Sequence, residues 1–276
     1  MTAQPAPPFS APSPTPRDLF SAYSFDTLVS GAARLRPQGL ALVDRNTSVS
    51  FDLLAGQATA LARLLAECGL KPGERLLLIG GAETTLVIAM VAALRGGFEP
   101  ALAPLDLDPT DLAAYAKAIN AAALAAPSHY GEALSPDIYF AAAAATPTIR
   151  FLATLGPQEM DGTVDLSMSA ALRYVAGNPI SALERGGSAP AVPRLITFDR
   201  ARGKPVLHDQ STLMAASLDF IARASIGRET PIFSTLPPTT FAGLVSGPLA
   251  ALLSGATLHL DGPFEAQSLV KRLDAM

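Results

Sequence analysis

Cysteine is all but missing from this chain: of 276 residues only Cys68 is a cysteine. That excludes an intramolecular disulfide and any thiolate metal cluster, and it suits the reducing cytoplasm in which the protein is expected. Cys68 itself reads as a small buried hydrophobe at a helix end. Histidine is scarce as well, and His129, His208 and His259 have no metal-ligand spacing. A Gly-x-Ser-x-Gly nucleophile elbow is absent. Charge is sparse at 16% and slightly acidic, 20 Lys+Arg against 24 Asp+Glu, so there is no basic footprint for nucleic acid or an anionic membrane. The longest apolar run, residues 86–94, is far short of the roughly 20 that a membrane span needs. The amino terminus has no basic region followed by an apolar one, so it is read as neither signal peptide nor anchor.

What the chain does have is 49% hydrophobic residues, enough to bury a large core. Residues 1–17, with Pro5, Pro7, Pro8, Pro12, Pro14 and Pro16, read as a disordered or polyproline-II tail. Residues 41–43 and 48–51 flank Asp44, Arg45, Asn46 and Thr47 as a hairpin. Phe51, Leu54, Ala58, Leu61 and Leu65 recur at helical spacing, and Gly69 stands where a helix ends. Lys71-Pro72-Gly73-Glu74 turns the chain into an apolar run at 75–80, read as a buried parallel strand.

A helix at 83–95 stops at Gly96 and Gly97, a strand follows at 101–103, and Asp108-Pro109 opens a helix to 120. Residues 121–145 are alanine-rich and undecided, and 156–193 read as a connection with one helix near 169–175. Beyond it the pattern resumes: strand 194–197, helix 211–224, strand 231–235, helix 241–253, strand 256–260 and a helical stretch at 264–275. Alternating elements of this kind predict an α/β fold, doubly wound and mostly parallel, in two sublobes at 18–155 and 194–276 joined by 156–193.

Four stretches carry a family likeness in a fixed order. Ser50-Phe51-Asp52-Leu53-Leu54 precedes Gly69-Leu70-Lys71-Pro72-Gly73-Glu74-Arg75; then come Leu94-Arg95-Gly96-Gly97 and Ala103-Pro104-Leu105-Asp106. The third stretch runs from Leu195 to His208, with Lys204, Val206 and Leu207 in it. The last holds Phe233-Ser234-Thr235-Leu236-Pro237, Phe241, Gly243-Leu244 and Leu253-Ser254-Gly255-Ala256-Thr257. In these the chain resembles the N-terminal part of the adenylate-forming superfamily, the acyl-CoA synthetases and adenylation domains. The resemblance implies that family's fold, with ATP or AMP and magnesium as cofactors; the residues by themselves name none.

The third stretch departs from the family pattern. Where the family has a Thr/Ser/Gly-rich loop around the triphosphate, this chain has Phe198, Asp199, Arg200 and Ala201, which add side-chain bulk and an anion. The family's adenine- and ribose-binding motifs, magnesium-binding glutamate and catalytic lysine have no counterpart in these residues. No catalytic residue and no metal ligand is therefore assigned, and Arg202-Gly203-Lys204 is not a Walker loop, because Pro205 follows the lysine.

Thr197, Arg200, Arg202 and Lys204 are candidates for holding a phosphate, against the alternative of a solvated charged turn between a strand and a helix. His208, beside the helix caps Asp209 or Ser211, reads as structural rather than functional. Thr239, Thr240, Phe241 and Gly243 lie past the carboxyl end of a strand, where open α/β sheets bind ligands, or else form an ordinary capped turn. The expected protein is a truncated, degenerate ligase-like chain without independent adenylation activity, binding a partner chain or a small acyl or aryl carboxylate. The alternative is part of an ATP-dependent acyl-CoA ligase completed by a second chain. A homo-oligomer or hetero-complex is expected through the C-terminal end, on Leu258, Leu260, Phe264, Leu269, Val270 and Leu273.

Overall fold

A computed structural model describes residues 24–129, 136–156, 158, 160–177 and 192–274. The tail read at 1–17 lies outside the described residues. Chain order is α1 (Phe25–Leu35), β1 (Leu40–Val43), β2 (Ser48–Ser50), α2 (Phe51–Glu67), β3 (Arg75–Ile79), α3 (Thr84–Arg95), β4 (Glu99–Ala103), α4 (Pro109–Ala118) and β5 (Ala123–Pro127). After these come α5 (Asp137–Ala144), β6 (Phe151–Leu155), β7 (Val164–Asp165), α6 (Met168–Gly177), β8 (Leu195–Asp199), β9 (Lys204–His208) and α7 (Gln210–Arg223). The last are β10 (Ile232–Ser234), α8 (Phe241–Leu244), a π-helical turn (Val245–Leu249), α9 (Ala250–Ser254), β11 (Leu258–Leu260) and α10 (Ala266–Asp274).

The strands form two sheets, one of seven in the order β7-β6-β5-β3-β4-β8-β9 and one of four in the order β10-β11-β1-β2. Every pairing is parallel except the two hairpins, β1–β2 and β8–β9. The sheets do not follow the two stretches of sequence read as sublobes. Of the strands in 194–276, β8 and β9 extend the large sheet beside β4, whereas β10 and β11 join β1 and β2 in the small one. A strand goes where it finds a hydrogen-bonding edge, and the nearest edge in space is set by residues far away in the chain.

Strand alternation divides the core. Leu76 and Leu78 of β3 point into one cluster with α2, α3 and the small sheet, and Leu77 and Ile79 into another with α4. The apolar run of α3 is buried in the first cluster, and no helix among the described residues is long and apolar enough to cross a membrane. Asp108 caps α4 through the N–H groups of Thr110 and Asp111, with Pro109 at the first helical position. Cys68 is half-buried at the C-cap of α2.

Three details differ from the sequence reading. Lys204–His208, expected in the turn between a strand and a helix, is strand β9. The single helix expected at 241–253 is α8, a π turn and α9, because Pro248 has no N–H for a regular ladder. Of the residues expected on a C-terminal interface, Leu258 and Leu260 are fully buried, since β11 is an interior strand between β10 and β1. Phe264 and Val270 are exposed, Leu269 is half-buried, and the Leu273 side chain lies outside the described residues.

Candidate functional site

The candidate phosphate residues lie on the β8–β9 hairpin. Phe198 holds β8 down by stacking on Tyr115 of α4, ring centroids 4.0 Å apart, and its neighbour Thr197 is buried. β9 returns with Val206 opposite Thr197 and Lys204 opposite Asp199. Asp199 closes the turn between them. Its carbonyl accepts from the N–H of Arg202 at 3.1 Å and of Gly203 at 2.7 Å. Its carboxylate accepts from the N–H of Ala201 and from Nη1 of Arg202, both at 3.0 Å.

Gly203 completes the turn with φ of +63°, a left-handed conformation that glycine adopts without steric cost. Arg200 pairs with Asp106 in the connection after β4. The backbone donors of 201, 202 and 203 and the Arg202 guanidinium are thus engaged inside the turn and Arg200 outside it with Asp106, while Lys204 is exposed. A phosphate cradle depends on successive N–H groups left free to converge on one anion. This turn aims its N–H groups at its own aspartate.

The other end of the hairpin has a different character. Thr197 Oγ1 lies 2.8 Å from Nε2 of His208, and the His208 ring is 5.4 Å from that of Phe241 at the start of α8. Burial holds the His208 imidazole below its ordinary pKa, against the pull of neighbouring Asp209, so the ring is neutral at neutral pH. Thr240 caps α8, its hydroxyl accepting from the N–H of Gly243 at 3.1 Å and donating to the Pro237 carbonyl at 3.0 Å. A Cβ on Gly243 would stand 2.2 Å from that carbonyl oxygen, so only glycine fits there. Thr239 is buried with its hydroxyl unpaired.

The structure therefore brings Thr197 together with Phe241 through His208. It leaves Arg200, Arg202 and Lys204 at the hairpin tip, roughly 13 Å along β9 by strand rise. His208 was not legible as a link, because its two-residue offset from Val206 has meaning only once β9 is known to be a strand. The sequence reading also passed over Gln57 and Glu83, which line a cavity of about 630 Å³ elsewhere in the molecule. The available clue was a glutamine inside the apolar stripe of α2. No cluster of three metal-binding side chains occurs among the described residues.

No family model matches the sequence. The chain is 26% identical, over 268 residues, to a 2-hydroxy-7-methoxy-5-methyl-1-naphthoate–CoA ligase of Streptomyces carzinostaticus, covering 90% of this chain and 46% of that protein. It thus spans about half the length of the curated relative it matches. Among solved structures, apo MbtA of Mycobacterium smegmatis superposes with a TM-score of 0.77 at 19% identity, covering 91% of this chain and 46% of MbtA. A putative long-chain-fatty-acid CoA ligase from Rhodopseudomonas palustris gives 0.76 at 15% identity, covering 92% and 61%. In sequence this chain resembles the adenylate-forming enzymes, and it has the fold of their N-terminal portion.

Proposed function

We propose that the protein is a ligase-like binding protein that holds a small acyl or aryl carboxylate, or a partner chain, and does not adenylate by itself. The observation that supports this is the closed β8–β9 turn. Its N–H groups at 201–203 are spent on Asp199, and the aspartate adds negative charge beside any incoming polyanion. The residues present do not fit a triphosphate, since electrostatic stabilisation of phosphoryl chemistry needs donors aimed at the phosphate oxygens. The small-ligand part of the reading rests on Phe241, which follows the carboxyl end of the parallel strand β10, a usual ligand position in such folds, and on Thr197 and neutral His208 packed beside it.

Carboxylate-dependent ATP–pyrophosphate exchange tests it. With a panel of fatty acids, benzoates and naphthoates, exchange is expected at the no-protein blank while a full-length aryl-CoA ligase run beside it is active. Exchange clearly above the blank overturns the proposal.

A second reading is favoured by the 46% coverage of the naphthoate–CoA ligase: the chain is one part of an ATP-dependent acyl- or aryl-CoA ligase, and another polypeptide supplies the remaining motifs. Exchange that appears only when a candidate second chain is added selects this reading.

A further inference from the structure

We propose that the cavity between the β1–β2 turn, the amino end of α3 and the carboxyl ends of β5 and β6 binds an organic cation, a primary amine or amidine carried on a flat or short apolar body. The site is independent of the β8–β9 hairpin and of the function proposed above. Its volume, about 630 Å³, lies in the range of small-molecule pockets. Leu61, Ile88, Leu155 and Leu166 supply apolar wall, and Ser128 and Ser167 add hydroxyls.

Gln57 gives the first independent pointer to a ligand. It is 2% exposed, its side chain lines the cavity, and neither its amide oxygen nor its nitrogen has a hydrogen-bond partner among the described residues. A buried amide with donor and acceptor both unmet is costly, and such groups in folded proteins are normally satisfied. A ligand N–H on the amide oxygen removes half of that cost. An amide with both ends unmet calls for a hydrogen-bonding guest, and the charge around it selects one that carries donors.

The second pointer is charge. Asp44 and Glu83 line the cavity, no lysine or arginine among the described residues does, and His129 is exposed at its rim. The two carboxyls are not equivalent. Asp44 is satisfied four times over, accepting from the N–H groups of Asn46, Thr47 and Thr84 and from the Thr84 hydroxyl. Among the described residues, the Glu83 carboxyl has no hydrogen-bond or ion-pair partner. Burial, with Asp44 beside it, pushes the Glu83 carboxyl up to about 7. A cation placed between them makes an ion pair with Glu83 and draws it into the charged form, whereas an anion is repelled by Asp44 and by Glu83 once ionised.

Isothermal titration of the full chain near neutral pH, with benzamidine, benzyl alcohol and benzoate as probes of one shape and three charges, tests the proposal. Benzamidine is expected to bind, and the neutral and anionic probes to bind at least about tenfold more weakly. Glu83→Gln, which keeps shape and hydrogen bonding, is expected to weaken benzamidine by about tenfold or more. Gln57→Leu is expected to leave the chain folded, with an unchanged or raised thermal midpoint, and to weaken benzamidine too. Because binding drives a proton off Glu83, the enthalpy at about pH 6 should depend on the ionisation enthalpy of the buffer, and in Glu83→Gln it should not. No benzamidine binding up to about 10 mM, equal binding of benzoate, or full binding by folded Glu83→Gln overturns the proposal.

Discussion

Glu83 stands at the N-cap of α3 yet makes no capping hydrogen bond. Asp44, from the β1–β2 turn, caps the helix in its place through the N–H and hydroxyl of Thr84. The cap position is filled from another element, and Glu83 is left half-buried with a carboxyl raised from its ordinary value to about 7. Folded chains therefore hold a proton that unfolded chains have lost, and the window runs from the ordinary carboxylate value up to about pH 7. In that window the native state binds more protons, so this group's contribution to stability falls as pH rises, by something of the order of 1–3 kcal/mol in total. Urea midpoints of the parent and Glu83→Gln, compared across the window, should converge at the acid end and diverge in favour of the variant above it. Parallel curves would show that Glu83 titrates normally. Gly69 and Gly73, both at positive φ, were legible in sequence because a turn depends on its own few residues. The displaced cap was not, because Asp44 and Thr84 lie 40 positions apart.

Among the elements, α1, α2 and α3 are tied together by one side chain. The Arg95 guanidinium in the last turn of α3 pairs with Asp26 and donates to Ser30 Oγ at 2.8 Å, both on α1, and on α2 it donates to the Ala55 carbonyl at 2.5 Å and to the Thr59 hydroxyl. Arg95→Ala leaves Asp26, Ser30 and the Thr59 hydroxyl without this donor in a partly buried place and should cost about 2–4 kcal/mol. Arg95→Lys should recover little, since an ammonium point charge cannot reach both helices as a planar fork does. Denaturant midpoints of the three chains decide this; an Arg95→Lys chain as stable as the parent would refute it. Helices α2, α3 and α4 follow from period and caps alone. β5 and α5 do not, because alanine carries neither an apolar stripe nor a strand preference and residues 121–145 are full of it. β9 was missed for another reason: its middle residues, Val206 and Leu207, are both exposed, so it lacks the alternation of a half-buried strand.

At the scale of the molecule, the chain on either side of 178–191 builds both sheets. Ile196 pairs with Ala101, Leu258 and His259 with Leu42 and Val43, and the Gln210 amide oxygen accepts from the Phe25 N–H at 2.7 Å. A specific protease site placed within 178–191 and cut should therefore leave two pieces that co-elute on gel filtration under native conditions and part only in denaturant. Pieces that separate in native buffer would mean that each side folds alone. The sequence by itself determined the alternation of strands and helices outside 121–145 and β9, the cap at Asp108 with Pro109 at the first helical position, and the turn at Lys71 to Glu74, because each depends on residues within a few positions of one another. The side-chain pattern of the hairpin at 199–204, an aspartate among bulky residues, was also there to be read. Only the tertiary structure decided which edge each strand joins, that His208 links Thr197 to Phe241, and that Gln57, Asp44 and Glu83 share one cavity. Those outcomes rest on contacts between residues from about ten to more than two hundred positions apart, and no local preference of the chain encodes which distant partner a buried group will meet.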